Sequence, residues 1–566
     1  MHQKTVYLET FGCQMNELDS ELVQGQLEAL GYRFTPDDTR ADIVLYNTCS
    51  VREQAENKAL SRVGIISQRK RDGADLILGV LGCMAERDGK DMIRRHPQID
   101  LMCGPSELDR LPLLLDNVAK ARASEQGQAT LLDRVALAGS RSRRSTTLGA
   151  AEDSLELLDL SRAFSPDLNG KAAGRSAYVR ITRGCNKFCT YCVVPHTRGA
   201  EVHRPPSEIL AECRQLAEKG VLEVTLLGQT VNHYCYTHGT ALSMEGRELA
   251  QVGPGLKAFR GGSTGTNAHT TSFADLLQRI HEEVPELQRI RFVTSYPRDF
   301  GDDILDVIAA SPRICPYLHV PAQSGSNRML KLMNRGYTVE EYLEFIDRAI
   351  KRVPDVSIAG DIIVGFPGET DEDFQATVNL LRQVPFKNNF IFKYSPRPGT
   401  VAIDRFEDDI PDPIKRERNN LLLAVQAEVS EAVHARWVGR EVDVLVEQVS
   451  KRDQERPNRP LKSQEGDSGG VTLTAHGKAL ADHANGDATM GSVRHGTENP
   501  KASQDAGPVQ LSGRTGGDLI TFFNSPSGID PGELIGTIQK VRVHESGVLS
   551  LSGTLQSQLP GTLATT

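Results

Sequence analysis

A chain of 566 residues is too long for one hydrophobic core and leads to an expectation of two to four domains. With 39% hydrophobic and 25% charged residues it reads as an ordinary soluble globular chain, without an apolar run long enough to cross a bilayer. The net charge of −9 argues against broad charge-driven binding to nucleic acid, so any RNA contact has to come from local basic patches.

The first residues, MHQKTVYLETFGCQMN, lack the charged start and long apolar stretch of a signal peptide, and the chain is expected in the cytoplasm. Ten cysteines there do not form a disulfide framework, which leaves metal or redox use. From residue 4 to about 120, short apolar runs alternate with amphipathic segments: TVYLETFG, SELVQGQLEALG, ADIVLYNTC, AENKALSRVGIISQRK, DLILGVLGCMAE. That alternation predicts an open parallel sheet with helices on its faces. Three of its strands run straight into a cysteine, Cys13, Cys49 and Cys83, at the carboxyl edge where open α/β sheets bind ligands. Cysteines far apart in sequence are therefore expected to converge.

Residues 121–172 are small and polar, without either period, and read as a linker. A second alternating region follows over 173–434, with SAYVRITRG, EVTLLGQT, IRFVTSY, YLHVPAQSG, VSIAGDIIVGFPG and NNFIFKYSPRPGT as strands. Six such repeats predict a full or partial (β/α) barrel with its site at the carboxyl ends of the strands. Two stretches, 235–271 and 451–512, read as low-complexity surface insertions unable to order themselves. The short alternating strands over 437–557 suit a small closed β-barrel.

The loop after the first barrel strand, RGCNKFCTYCVVPHTRG, sets Cys185, Cys189 and Cys192 within eight positions. A cubane iron–sulfur cluster takes one outside ligand per iron, so three thiolates leave one iron open for a chelating small molecule such as S-adenosylmethionine. The competing reading is a structural zinc knuckle completed by His196 or His203, although zinc sites usually come as paired hooks and this chain has one.

GCNKFCTYCVVPHTRGAEVHRP resembles the radical S-adenosylmethionine motif of the methylthiotransferases. TFGCQMNELDSE, YNTCSVREQAENK and LGCMAER are similar to their amino-terminal domain, and LHVPAQSGSNRMLKLMNRGYT and DIIVGFPGETDEDF extend the match. The last part resembles their TRAM domain, and the nearest branch is the MiaB type, which acts on isopentenylated adenosine in tRNA. The resemblance implies that Cys185, Cys189 and Cys192 ligate the cluster that reduces S-adenosylmethionine, and that Cys13, Cys49 and Cys83 hold a second [4Fe-4S] cluster carrying the sulfur. A second S-adenosylmethionine would supply the methyl group at C2 of N6-dimethylallyladenosine next to the anticodon. Cys103, Cys213, Cys235 and Cys315 match neither triad and read as ordinary thiols.

Strand-end positions place Gln229, Ser295, Gln323 and the glycines Gly360, Gly365 and Gly368 near the cofactor, the glycines allowing close backbone approach. Arg198, Glu201 and Arg204 follow the third cysteine closely and are expected to meet the carboxylate, ribose or phosphate of a ligand. Arg440, Arg514, Lys540 and Arg542 are the RNA-contact candidates in the small barrel, where 5% aromatic residues leave few stacking platforms. The implied partners are tRNA and a low-potential donor of the flavodoxin or ferredoxin kind, with no membrane and a monomeric enzyme. Two alternatives stand beside this: a methylthiotransferase acting on threonylcarbamoyladenosine or a ribosomal aspartate, and a non-catalytic RNA-binding protein with structural zinc.

Overall fold

The computed structural model describes residues 4–50, 53–123, 134–137, 175–239, 243–244, 247–253, 270–454 and 508–556. The amino-terminal unit runs β1 (Thr5–Phe11), α1 (Gln14–Ala29), β2 (Arg33–Phe34), β3 (Ile43–Thr48), α2 (Glu53–Arg71), β4 (Ile77–Gly82), α3 (Cys83–Arg95), β5 (Leu101–Cys103), α4 (Leu111–Ala123) and β6 (Val135–Ala136). Its sheet has the order β2-β1-β3-β4-β5-β6, with every pair parallel. Side chains alternate between two buried faces, as the period of a strand requires: Ile43 and Leu45 join one core with α1 and α4, while Val44 and Tyr46 join another with α2 and α3.

The central unit contains all six expected barrel strands. Ser176–Arg180, Glu223–Leu227 and Arg289–Phe292 form one parallel sheet, and Tyr317–His319, Ser357–Val364 and Phe386–Lys393 another. A parallel bridge between Ile290 and Ile314 and a bond from Cys315 N to Ile290 O join them into a partial barrel around one core. Three of its helices start on capping boxes, Ser272 with Asp275, Thr338 with Glu341 and Thr370 with Asp373, which satisfy orphan amides at each start.

Glu441–Val449, Gln510–Thr515, Ile520–Asn524, Ser550–Leu555 and Ile538–Ser546 close a small barrel around Val442, Val444, Val446, Phe523 and Val541. It caps the amino-terminal ends of the central strands. Arg289 donates to the carbonyls of Arg514 (2.8 Å) and Asp443 (2.7 Å), Arg291 to Gly516 and Thr515 (3.1 Å each), and Lys387 pairs with Asp518 at 2.5 Å. Glu223, at the start of the second strand, receives Arg291 at 3.2 Å.

The ordered structure departs from three predicted boundaries. Val135–Ala136, within the expected linker 121–172, adds an edge strand beside Met102 and Cys103; two residues are too short to show a period. Within 235–271, Cys235–Thr237 pairs with Thr270–Ser272, Gln251–Val252 pairs with Val202–His203, and Tyr236 is fully buried. Gln510–Ser512, placed in the second insertion, belongs to a barrel strand. The middle of the linker and most of both insertions lie outside the described residues.

The ion pairs under the small barrel set a pH dependence. Burial alone would raise the Asp518 carboxyl, but Lys387, Arg291 and Arg514 hold it well below the usual carboxylate value, and Arg291 does the same for Glu223. The stability they supply is complete above about pH 4, the unfolded carboxylate value, and is lost as pH falls below it. Asp518→Asn is expected to cost about 3 kcal/mol in denaturant unfolding and to flatten that acid limb, because Lys387 keeps a buried charge without its partner. An unchanged midpoint would show that the barrel is held otherwise.

Candidate active site

β1, β3 and β4 are consecutive neighbours whose ends are level: Phe11 lies beside Thr48 and Thr48 beside Gly82. Cys49 and Cys83 follow their strands directly, and Cys13 follows after Gly12. Neighbouring strands lie about 4.8 Å apart, so the level ends bring three thiols to one edge. Gly12 keeps them close, since a Cβ there would stand 2.9 Å from Cys49 Cβ and 2.5 Å from Asn16 Oδ1. Gly82, at φ 90°, has no space beside Asn47 Oδ1 and Thr48 O.

Cys13 caps the start of α1 and Cys83 begins α3, so two helix amino termini face this triad. A bond with Cys49, the charge of Arg198 and the amides of Asn16 and Met15 outweigh burial and bring the Cys13 thiol down to about 6. Burial pushes Cys83 up, opposed by Arg198 and a bond from Thr197.

The second triad lies on the loop after Ser176–Arg180. Gly184, at φ 68°, turns the chain where a Cβ would fall 1.9 Å from the carbonyl of Ala200, and Cys185 N donates to Gly199 O at 3.1 Å. Thr190 anchors the loop: its amide donates to Met333 O at 3.1 Å and its hydroxyl to Leu332 O at 2.9 Å. Arg335 donates to Cys189 Sγ at 3.3 Å and stacks on Tyr296 and Tyr337, while Thr230 Oγ1 lies 3.7 Å from Cys185 Sγ. The three thiols act on one another electrostatically, and burial, with Glu201 next, pushes Cys185 up to about 12; burial raises Cys192 as well.

The other expected cofactor contacts separate into groups. Ser295 is buried with its hydroxyl lacking a hydrogen-bond partner, and Gln323, at φ 70°, is buried at the end of the fourth strand's chain. Gln229 is half-buried after the second strand. Glu201 is buried 3.6 Å from His233, which bonds Asp299 at 2.7 Å, which in turn pairs with Lys187 at 2.5 Å. This network was not visible in sequence because its members span more than a hundred positions.

Four groups of expected contacts have partners within the chain. Gly360 makes room for Asn389 and Phe386, and Gly365 for Lys415, so internal packing accounts for both; Gly368, at φ 76°, serves a turn whose amide donates to Asp409. Arg198 pairs with Asp19 of α1 at 2.7 Å, both buried. Arg204 is committed to Glu212 at 2.7 Å and to the carbonyl of Arg180. In the small barrel Arg440 pairs with Asp355 at 2.9 Å over Trp437, Arg514 with Glu447 at 2.7 Å, and Lys540 with Asp443 at 3.2 Å. Of the four, Arg542 is exposed without an ion pair among the described residues.

Among the described residues no group of three or more His, Cys, Asp and Glu side chains stands in an arrangement that could hold a single metal ion. A cubane takes each thiolate at a separate iron, and two sets of three soft donors fit that requirement. The orphaned hydroxyl of Ser295 leaves a buried polar group for a polar small molecule, and Glu201, whose Oε1 faces His233 at 3.6 Å, adds a buried carboxylate that acts on Cys185.

Residues 179–381 match the family described as the radical SAM superfamily, and residues 5–104 the uncharacterized protein family UPF0004. The tRNA-2-methylthio-N(6)-dimethylallyladenosine synthase of Rhodopirellula baltica is 42% identical over 79% of this chain and 85% of its own length. That of Opitutus terrae is 40% identical over 79% of this chain and 88% of its own length. Among solved structures, a radical S-adenosylmethionine methyltransferase from Kitasatospora setae is similar at a TM-score of 0.45, with 16% identity over 71% of this chain and 77% of that one.

The two triads should behave differently in metal-free protein. At pH 7.5 Cys13, brought down to about 6 chiefly by its bond with Cys49, carries a thiolate, whereas Cys185 stays protonated. Peptide mass spectrometry after brief iodoacetamide treatment is expected to find Cys13 alkylated at least tenfold faster than Cys185; equal rates would contradict the described electrostatics.

Proposed function

This chain belongs to the tRNA-2-methylthio-N(6)-dimethylallyladenosine synthase family of radical S-adenosylmethionine enzymes, and from that membership we infer how its own residues divide the work. It is a tRNA methylthiotransferase that uses S-adenosylmethionine and [4Fe-4S] chemistry, with N6-dimethylallyladenosine as the modified base. When bound, these cofactors supply hydrogen abstraction at a ring carbon that no side-chain base can deprotonate, together with the sulfur and the methyl group.

Cys185, Cys189 and Cys192 hold the cluster that meets S-adenosylmethionine, and Cys13, Cys49 and Cys83 hold the one that carries sulfur. The observation that carries this division is the convergence of six thiols into two sets of three, each at the carboxyl end of a parallel sheet. Arg335 places a fixed positive charge against Cys189. Ser295 and Glu201 offer acceptors to S-adenosylmethionine, with Gln229 and Gln323 at neighbouring strand ends. Lys187, Asp299 and His233 form a buried chain that holds Glu201 in place, so its carboxylate stays ionised against the burial that would neutralise it. The modified adenosine next to the anticodon has to leave its stack to enter so buried a site. Arg542 offers an exposed cation of the small barrel to RNA. A flavodoxin- or ferredoxin-like donor supplies electrons in the cytoplasm to a monomeric enzyme; among the described residues no helix is long and apolar enough to cross a membrane.

Anaerobically purified protein should contain about eight irons per chain, the demand of two cubanes. Cys189→Ala should retain about four and lose 5′-deoxyadenosine formation entirely; continued formation would refute the assigned roles. Deleting the gene should leave dimethylallyladenosine in tRNA without its methylthio group by nucleoside mass spectrometry. Retention of that group there, with loss from threonylcarbamoyladenosine, would move the enzyme to the other substrate.

A further inference from the structure

Arg335 follows the short helix Asn327–Leu332, and the chain bends sharply to bring it inward. Asn334 ends that helix in the left-handed region at φ 58°, and Gly336 follows at φ 48°, where a Cβ would stand 2.8 Å from Nη1 of Arg298. The Arg335 amide donates back to Leu330 O at 2.8 Å, and Tyr296 Oη donates to the Arg335 carbonyl at 3.0 Å. This turn meets the cysteine loop residue by residue. Asn334 Nδ2 donates to Phe188 O at 3.0 Å, Arg335 Nη1 to Cys189 Sγ at 3.3 Å, and Met333 O and Leu332 O receive the amide and hydroxyl of Thr190. The bond to sulfur is thus held by bonds at both neighbouring residues.

The guanidinium has no carboxylate. Four other buried arginines meet one: Arg198 with Asp19, Arg204 with Glu212 and Arg418 with Glu369 at 2.7 Å, and Arg291 with Glu223 at 3.2 Å. Arg335, 6% exposed, meets none among the described residues. Its other bonds go to neutral groups, Nε to Tyr337 Oη at 3.0 Å and Nη2 to Pro321 O at 3.2 Å, and it lies 4.7 Å and 5.2 Å from the ring centres of Tyr296 and Tyr337. Rings and carbonyls ease the burial of a cation without neutralising it. A buried charge lacking its opposite is costly, so the fold alone gives no reason to keep it there. Of the groups it touches, the Cys189 sulfur is the one that turns anionic when the triad binds iron.

We propose that Arg335 is a positioning residue for the cluster held by Cys185, Cys189 and Cys192: its guanidinium is that cluster's fixed counter-charge, and its N–H bond to the Cys189 sulfur sets how readily the cluster accepts an electron. The inference rests on the assignment of this triad to a cluster. Net charge and hydrogen bonds to the sulfurs are levers on such potentials. Both act here in one direction, because each stabilises the reduced, more negative form. Arg335 therefore raises the midpoint and eases transfer of the electron from the low-potential donor. It exchanges no proton and forms no covalent bond.

The test uses the full chain with Cys13, Cys49 and Cys83 all replaced by Ala, so that only the second triad's cluster contributes. About four irons should remain; if none do, the assignment of the triad to a cluster has failed, and the proposal falls with it. Given four irons, the midpoint is measured without S-adenosylmethionine by redox titration with electron paramagnetic resonance. Arg335→Gln is expected to lower the one-electron reduction constant at least tenfold, a shift of about −59 mV. Arg335→Lys, which keeps the charge, should recover at least half of that shift. Neither substitution leaves a carboxylate unpaired, so both should keep the parent's circular dichroism. With four irons bound, a smaller fall or a rise in Arg335→Gln overturns the proposal, as does a recovery of less than half in Arg335→Lys. Weaker binding of S-adenosylmethionine by Arg335→Gln at an unchanged midpoint would assign the guanidinium to that molecule's carboxylate instead. If Arg335→Gln loses iron with its circular dichroism unchanged while Arg335→Lys keeps iron, the counter-charge role stands through retention. Iron loss from both, or a changed spectrum in Arg335→Gln, would assign Arg335 to the fold and overturn it.

Discussion

The level ends of three neighbouring parallel strands are the constraint on which the rest depends. Hydrogen bonding fixes Phe11, Thr48 and Gly82 side by side, and each chain must then leave the sheet through a turn. A cysteine placed one or two residues later has little choice of position. Gly12 and Gly82 allow the turns to crowd, and the first turns of α1 and α3 aim amides at the sulfurs. The site is thus made by sheet register, the most strongly specified feature of a buried parallel sheet, where a one-residue slip would turn every core side chain to the wrong face.

The second triad is built on a different principle. Its cysteines are close in sequence, so the fold has only to stiffen one loop. Gly184 supplies the turn, Thr190 ties the loop to Leu332 and Met333, and Arg335 reaches Cys189 from the same neighbouring segment. Local spacing sets the donors and distant packing sets their orientation. The two environments differ accordingly. Around Cys13 charge and amides favour thiolate, whereas around Cys185 burial and Glu201 oppose it. Charged groups are also shared out between domains: Arg397 reaches Glu56 of α2 at 2.7 Å, so the amino-terminal unit is held against the central one at two buried ion pairs, this and Arg198–Asp19.

Much of this was legible because strands announce themselves by apolar runs and the cysteines stand at their ends. All six barrel strands and the parallel amino-terminal sheet follow from that pattern. What escaped depends on partners far away in sequence. Arg198 stands six residues from Cys192, which suggests one shared site, yet a single helical turn hands it to Asp19 in another domain. Gly360 and Gly365 look like ligand-facing glycines until Asn389 and Lys415 are seen filling the space. Arg440, Arg514 and Lys540 look free until Asp355, Glu447 and Asp443 come to meet them from other elements. The ends of the 235–271 stretch carry strands too short for a period, although Tyr236, fully buried, is a side chain that a disordered insertion would not need.

The arrangement of the small barrel bears on what kind of substrate can use it. It is clamped to the amino-terminal ends of the central strands by Arg289, Arg291 and Lys387, while both triads lie at carboxyl ends. Ser357–Val364 has eight residues, which at about 3.3 Å each separates the two ends by roughly 26 Å. A free nucleoside is far too small to touch both. A folded RNA is long enough to rest on the outer face of the barrel, where Arg542 is exposed, while one of its loops reaches around to the cysteines. Under the proposed function, in which the barrel meets tRNA, fixing it by buried ion pairs has a purpose: a loose tether would hold the RNA without controlling which base arrives, whereas a rigid mount converts a distance along the RNA into a choice of residue.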